Sequence, residues 1–432
     1  MPVVTLVEPN KTINLIKTNR MVNDFVEIAR VDTVSDGSKV ETNQVPSTGS
    51  QRELAKILRE KLSQIPLLVD IDVDDKAVVT ATLPSNIEAP NVQIPTIGLF
   101  SHMDLNGDVP TDNIEPIIHE NYQGGDLVLS HGTIIPAKDL DGHLGESIIT
   151  SSGRTLLGAD DKAGIAEILE VLRVYSEHPE LPRPKIKVGF TPDEEIGRGL
   201  DFFDIEKFGA DAAYTIDGSI PGEIEAETFN AHMVKITFKG LNVHPGYAKG
   251  KMINSLRAMA DFISRLPRDE APETTEERQG YIHPNEVGDK SSVEQSSLTI
   301  IVRDFDYDQS LRRLERIKEI AEEVRKLNSG CSIEIKIREQ YRNMRESIAK
   351  KPEVVEYAKQ GILDTGLVLV DKPIRGGTDG SHLSLRGLPT PNLAAGGHNF
   401  HSLREFVTIP DMEKCAATII NTMSVWIKRL GK

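Results

Sequence analysis

One short run, IPTIGLFS at 94–101, restricts the fold more than any other feature of this 432-residue chain. It is apolar almost without interruption, as in a strand covered on both faces, and such strands belong to sheets with helices above and below. The surrounding pattern agrees. Residues 13–30 carry Ile13, Ile16, Met21, Phe25 and Ile28 at helical spacing, and 51–65 reads as a second helix rich in good helix formers. β-rich runs occupy 67–72 and 76–83. A helix is expected over 162–177, with strands over 185–191 (KIKVGFT) and 212–216 (AAYTI). This alternation predicts a layered α/β domain. The polar passage 105–150, rich in Gly and Asp, reads as an excursion over the surface.

Near residue 225 the pattern changes. Strands at 229–239, 294–304 and 331–339, with helices at 251–265 and 309–327 between them, make a β-α-β-α-β group with no catalytic-looking cluster. A smaller α+β domain over 225–339 is therefore expected inside a discontinuous larger one, 1–224 and 340–432. Two domains suit a length too great for one ordinary core. The Glu/Pro/Thr-rich stretch 267–291 reads as a long exposed loop. A last helix keeps Met412, Cys415, Ile419, Met423, Trp426 and Ile427 on one face, with Thr408 and Pro410 as start signals.

Several function classes drop out. A net charge of -16 speaks against a nucleic-acid partner, since phosphate binding wants a basic surface. Cys331 and Cys415 are far apart, so a disulfide framework is not expected and a reducing cytoplasm is the simplest home. The opening MPVVTLVEPNK lacks the features of a secretory signal. No apolar stretch reaches the roughly 18–20 residues of a membrane span, so no membrane partner is expected. There is no GxSxG elbow, Walker A loop, GxGxxG fingerprint, HExxH or CxxC pair.

What remains is a set of acids and histidines placed where apolar strands end. His102 and Asp104 follow IGLFS, and at strand spacing both can face one side. Asp160 and Asp161 lie in LLGADDKAG, between a turn and a helix. Asp193, Glu194 and Glu195 follow KIKVGFTP, Asp217 closes AAYTID, and His398 and His401 lie in GGHNFHS. Singly, each has a plainer reading: a turn former, a helix cap, a solvated charge or a hydrogen-bonded structural histidine. Together they converge, because strand ends on one edge of an open α/β sheet are where ligands bind. Clustered carboxylates repel unless a cation sits between them, and mixed His/carboxylate ligation suits Zn²⁺, Co²⁺ or Mn²⁺.

The chain resembles the tripeptide aminopeptidases of the M20 (M20B) metallopeptidase family. The likeness runs from about residue 13 to the C-terminus through VPSTGSQ (45–51), SHMDL (101–105), ENYQGGDLVL (120–129), TLLGADDKAGIAEI (155–168) and FTPDEEIGRG (190–199). It continues through AYTIDG (213–218), NVHPGYAKG (242–250), IVRDFD (301–306), PIRGGTDG (373–380) and GGHNFHSLREF (396–406). The resemblance implies a zinc-aminopeptidase-like catalytic domain, a mixed sheet flanked by helices, with the inserted domain serving as lid and dimerisation module of a homodimer. It implies two zinc ions per subunit, replaceable by Co or Mn. Asp160 would bridge them, with His102 and Asp217 completing one site and Glu195 and His401 the other. Glu194 would be the general base toward a metal-bridging water, and Asp104 would orient His102. A cis peptide is implied between Asp160 and Asp161. His244 would help hold the substrate's developing oxyanion, commonly in the partner subunit, and Arg303 and Arg375, assisted by Asn399, would bind the substrate's C-terminal carboxylate.

Two positions depart from the family pattern: Leu105 stands where a small polar residue is usual, and His398, which could compete with His401 as a ligand, stands where a non-histidine is usual. The implied activity is release of the N-terminal residue from tripeptides, the partners being short peptides with a free N-terminus. An M20 dipeptidase or N-acyl amino acid amidohydrolase would share the ligands. A silent peptide-binding scaffold would be expected to have lost Glu194 or a ligand.

Overall fold

A computed structural model describes residues 11–40, 42–88 and 92–430. The opening segment read above for a signal lies, apart from Lys11, outside them. The chain divides into two units, one of Met1–Ala226, Glu346–Lys372 and Thr378–Lys432, the other of Glu227–Arg345 and Pro373–Gly377.

Among the described residues, the first unit is built on an eight-stranded mixed sheet. Its strands are β1 (Val69–Val73), β2 (Val79–Leu83), β3 (Thr96–His102), β4 (Lys185–Thr191), β5 (Ala212–Gly218), β6 (Glu223–Glu225), β7 (Val370–Asp371) and β8 (Asn392–Ala394), in the order β1-β2-β4-β3-β5-β8-β6-β7. The run β4-β3-β5-β8 is parallel, and the outer pairs β1-β2, β2-β4 and β8-β6 are antiparallel. Every residue of β3 is buried, as its unbroken apolar pattern requires. Phe100 on β3 lies opposite Gly189 on β4, where a Cβ would meet its ring at 2.4 Å, so the strand glycine makes room for the aromatic.

The helix Ala159–Glu177 is buried over most of its length and packs on β3, on the helix Thr18–Ala29 and on the C-terminal helix Ile409–Lys428. That last helix starts as its sequence signals indicate: the Thr408 hydroxyl accepts from the Asp411 amide at 3.1 Å, and Pro410 sits in its first turn. Cys331 and Cys415 are buried free thiols. No helix among the described residues is long and apolar enough to cross a membrane.

Three expectations need correction. The passage 105–150 is more than a surface excursion. Ile117–His119 and Ile148–Thr150 join Phe406–Thr408 and Gly397–His398 in a four-stranded sheet, and Tyr122, Leu129, Ile135, Leu140, Ile148 and Phe406 form a core beneath it. Its strands are two or three residues long, too short for a period-2 pattern to register. The stretch 267–291 contains a strand, Tyr281–Val287, at the edge of the second unit's sheet. Only Ile282 in it is fully buried, and Pro284 interrupts the register, which disguises the strand as a loop. The second unit also runs past residue 339 to Arg345 and takes in Pro373–Gly377, which the sequence pattern groups with the larger domain. Ile374 bridges to Thr228, and Arg375 donates to the carbonyls of Glu277 and Gln279 at 2.7 and 2.8 Å.

The second unit is a four-stranded antiparallel sheet in the order Tyr281–Val287, Gln295–Asp304, Asn230–Lys239, Ser332–Tyr341. The helices Ser255–Arg265 and Tyr307–Leu327 cover one face, where Val234, Ile236 and Phe238 alternate inward against Phe262, Ile317 and Ile320.

Candidate metal centre

The parallel register of β4, β3 and β5 sets their C-terminal ends side by side: His102, the last residue of β3, lies opposite Thr191, the last of β4, and Asp217 ends one residue short of the close of β5. Glu194 and Glu195 follow β4 in a 3₁₀ turn, and Asp160 stands at the start of the helix Ala159–Glu177. The peptide between Asp160 and Asp161 is cis. His401 enters from the loop after Gly397–His398 with a left-handed backbone, φ 58°.

These side chains meet. The His102 Nε2 lies 2.9 Å from one oxygen of Asp160 and 3.6 Å from Asp217 Oδ1. The His401 Nε2 lies 3.3 Å from the other oxygen of Asp160 and 3.1 Å from Glu195 Oε1. Two triads result, His102–Asp160–Asp217 and Asp160–Glu195–His401, each with donor atoms within 4.8 Å of one another and sharing Asp160. Asp160 offers one oxygen to each, the stance of a bridging carboxylate.

The donors fit a pair of divalent ions better than they fit one another. Burial pushes the Asp217 carboxyl up to about 7, against the pull of His102 and with the help of Asp160 and Glu195. Desolvation lifts Glu194 well above its usual range, opposed by His102 and reinforced by Asp217, Asp379 and Glu195. Burial disfavours a charged His401, yet its hydrogen bonds to Asp160 and Glu195 prevail and push it up to about 11. A cation among these carboxylates would relieve their repulsion, and imidazole with carboxylate is the donor set of zinc-like metals.

Asp104 is fully buried beneath the centre. The His102 Nδ1 faces the Asp104 carbonyl at 3.2 Å and its carboxylate at 3.4 Å, which turns Nε2 toward Asp160. The same carboxylate accepts the amides of Glu194 and Glu195 at 2.9 and 3.1 Å, so one side chain sets both the histidine and the Glu–Glu turn. Asp193 accepts from the Ser47 amide at 2.6 Å and from the Gln51 amide group at 2.7 Å, which ties the VPSTGSQ segment to that turn.

Of the supporting residues, Glu405 and Asp379 carried no signal of their own in the sequence, whereas Asp161 stood among the acids at strand ends. Glu405 is buried and accepts the amides of Leu157, Gly158 and Asp160 at 2.8, 2.8 and 3.0 Å, fixing the loop that delivers Asp160. Asp161 accepts from the Ser101 hydroxyl at 2.5 Å and the His102 amide at 3.1 Å. Asp379 accepts from Thr191 at 2.6 Å, and burial pushes it up to about 7. These acids hold backbone and hydroxyl donors, and only the fold brings those donors to them.

The two departures resolve differently from each other. Leu105 packs in an apolar cluster with Ile114 and Leu156, its side chain against Gly158, where a Cβ would come within 2.7 Å of it. His398 does not join His401: its Nε2 lies 3.1 Å from Asp411 Oδ2. Asn399, in the first unit, is exposed and donates to the Arg404 carbonyl at 3.3 Å. The other three expected substrate groups belong to the second unit. His244 is exposed, its Nδ1 accepting from the Gly246 amide at 3.2 Å. Arg303 is buried, donates to the Val302 carbonyl at 3.1 Å and lies over the Tyr341 ring. Arg375 lies over Phe229 and holds the 275–279 loop.

Comparison with known proteins follows the same lines. The model of "Peptidase family M20/M25/M40" matches residues 157–424. A curated Peptidase T from Clostridium perfringens (strain SM101 / Type A) is 45% identical over 408 residues, 94% of this chain and 98% of that protein. Peptidase T from Geobacillus kaustophilus (strain HTA426) is 44% identical over 411 residues, with the same coverage of 94% and 98%. Two solved structures share the fold at 24% identity, covering 96% of this chain and 100% of each: aminopeptidase PepT from Bacillus cereus ATCC 10987, TM-score 0.72, and a tripeptidase from Staphylococcus aureus, TM-score 0.74. A dinuclear metal-binding M20 peptidase from Bacillus subtilis has a TM-score of 0.62 at 14% identity, covering 95% of this chain and 98% of that one.

Proposed function

This chain belongs to peptidase family M20/M25/M40, and on that footing we propose that it is a metal-dependent aminopeptidase releasing the N-terminal residue from tripeptides. The observation that carries the proposal is Asp160 set between two His/carboxylate triads, in a chain 45% identical to a Peptidase T over nearly its whole length. His102 and Asp217 would complete one metal site around Asp160, and Glu195 and His401 the other, with zinc as the ion and Co or Mn as substitutes. When bound, such a pair supplies Lewis-acid polarisation of the scissile carbonyl and lowers the pKa of water.

The chain's own groups do the rest. Glu194 takes the proton of the attacking water and passes it to the leaving amine, a task for a carboxylate that stays off the metal beside one that does not. Asp104 holds the ring of His102 and the backbone of Glu194 and Glu195 in register for it. Arg303 and Arg375, assisted by Asn399, would receive the peptide's C-terminal carboxylate, the charge that a free short peptide presents and a bidentate guanidinium matches. His244 would steady the developing oxyanion, from the partner subunit of a homodimer in which the second unit, Glu227–Arg345 with Pro373–Gly377, acts as lid and dimerisation module. A cytoplasmic enzyme is proposed, in keeping with the free cysteines.

A dipeptidase or N-acyl amino acid amidohydrolase would use the same donors, but the full-length likeness to Peptidase T favours the tripeptide. Retention of every donor together with Glu194 speaks against a silent scaffold. The test is the Glu194→Ala variant. Its bound metal, measured by mass spectrometry, is expected to equal that of the parent while tripeptide turnover falls by about 10²–10⁴-fold. Turnover that survives the substitution would overturn the assignment.

A further inference from the structure

His398, which does not serve the Asp160 centre, belongs to another cluster in the first unit. His143, His398 and Asp411 come from three separate segments: the turn after Ala137–Leu140, the strand Gly397–His398, and the first turn of the helix Ile409–Lys428. Each offers a donor atom, and the three donors lie within 4.8 Å of one another. The cluster shares no residue with the two triads described above.

His398 is hydrogen-bonded to Asp411, and the His143 ring stands beside that pair. Asp411 Oδ2 lies 3.1 Å from His398 Nε2 and 4.0 Å from His143 Nδ1. The other oxygen of Asp411 is 2.9 Å from the Lys414 ammonium, which fixes the carboxylate's orientation and leaves Oδ2 to His398. Glu146 brings a second carboxylate, its Oε2 2.7 Å from His143 Nδ1. The rings are held in place: His398 stacks on Phe406 at 4.5 Å and 3°, and His143 stands edge-on to His398 at 5.1 Å. The backbone at Gly396 approaches so closely that a Cβ there would meet Asp411 at 3.1 Å. Side chains of His143, His398 and Asp411 are only 14%, 14% and 4% exposed, so this is a shielded, preformed pocket of donors and not a solvated charge run.

The hydrogen bonds pair His398 with Asp411 and His143 with Glu146, and the Lys414 ammonium lies 2.9 Å from Asp411 and 3.9 Å from Glu146. A divalent ion held among these donors would join the two pairs, since the donor atoms of His143, His398 and Asp411 lie within 4.8 Å of one another. Two imidazoles with one or two carboxylates are the ligands of zinc or cobalt, whereas calcium and magnesium take oxygen donors.

We propose that His143, His398 and Asp411, with Glu146 as a fourth donor, form a separate binding site for a zinc-like transition-metal dication. An ion there clamps the turn at 141–146 and the strand Gly397–His398 to the start of the C-terminal helix, three residues before His401. Its role is structural, since binding to the folded state alone stabilises that state.

The test is a count. The full-length protein, stripped with a chelator, is dialysed against buffered micromolar free Zn²⁺ beside His398→Asn and His143→Asn variants. Bound zinc is measured by mass spectrometry, with circular dichroism as the fold check. Each variant is expected to hold one zinc fewer than the parent, and zinc is expected to raise the parent's Tm further than either variant's. Equal counts in all three proteins would overturn the proposal. All three keep the donors of the Asp160 centre, so an error in the catalytic assignment moves every count together and leaves the difference intact. Should both variants fail to fold, a His102→Ala, Asp160→Asn, His401→Ala variant, with a histidine removed from each triad of the Asp160 centre, titrated with Co²⁺ decides the matter. The visible absorption of one tetrahedrally bound cobalt per chain supports the site, and its absence refutes it.

Discussion

Asp160 and Asp104 show how little of the proposed metal centre lies in its candidate ligands alone. Asp160 reaches its position because Glu405 collects three amides of the loop ahead of it, and Glu194 and Glu195 reach theirs because Asp104 collects two more. Glu405→Gln turns an acceptor oxygen into an NH₂ group that faces backbone donors. It is expected to weaken zinc binding about 10–100-fold in competition with a chelator; an unchanged affinity would show that the loop does not need the carboxylate. The metal-free centre also predicts a pH dependence. Against burial, hydrogen bonds to Asp160 and Glu195 raise His401 to about 11, and burial raises Asp217 to about 7, so both hold a proton more tightly than ordinary side chains of their kind. Metal binding requires both to be deprotonated, so zinc uptake must release protons, and affinity must fall as pH falls below about 11 and more steeply below about 7. Calorimetric titration in two buffers of different ionisation enthalpy should give different apparent heats, and identical heats would contradict the assignment. At this scale the donors could be read from the sequence because acids and histidines at strand ends are conspicuous. Glu405 and Asp379 could not, because their partners are amides and a hydroxyl distant in the chain.

At the scale of elements, long strands and amphipathic helices announced themselves, whereas short or irregular strands did not. β3, β4 and β5 were evident from apolar runs, and their parallel register carries His102, Glu195 and Asp217 to one edge. The small sheet inside 105–150 was hidden because two- or three-residue strands have no period to detect. Tyr281–Val287 was hidden by Pro284 and by its solvent-facing residues. Its assignment as a strand has a measurable consequence, since Ile282 is 1% exposed within the second unit's core. Ile282→Ala is expected to destabilise that unit by about 2–4 kcal/mol in urea unfolding. A cost near zero would restore the exposed loop that composition suggests.

For the whole molecule, chain topology limits what a linear pattern discloses. The first unit is interrupted twice, and the second interruption is only Pro373–Gly377, too short to shift composition. The change of pattern near 225 is visible because a run of over a hundred residues adopts a different architecture. The central claim concerns the molecule entire: a metal-dependent aminopeptidase for tripeptides. The measurement that addresses it most directly is chromatographic product analysis of the zinc-restored protein given a tripeptide, the matching dipeptide, a longer peptide and an N-acetylated tripeptide, each with and without a chelator. The account predicts release of the first residue from the free tripeptide alone, abolished by the chelator. Cleavage of the dipeptide or the acetylated substrate in its place, or hydrolysis that persists without metal, would contradict it.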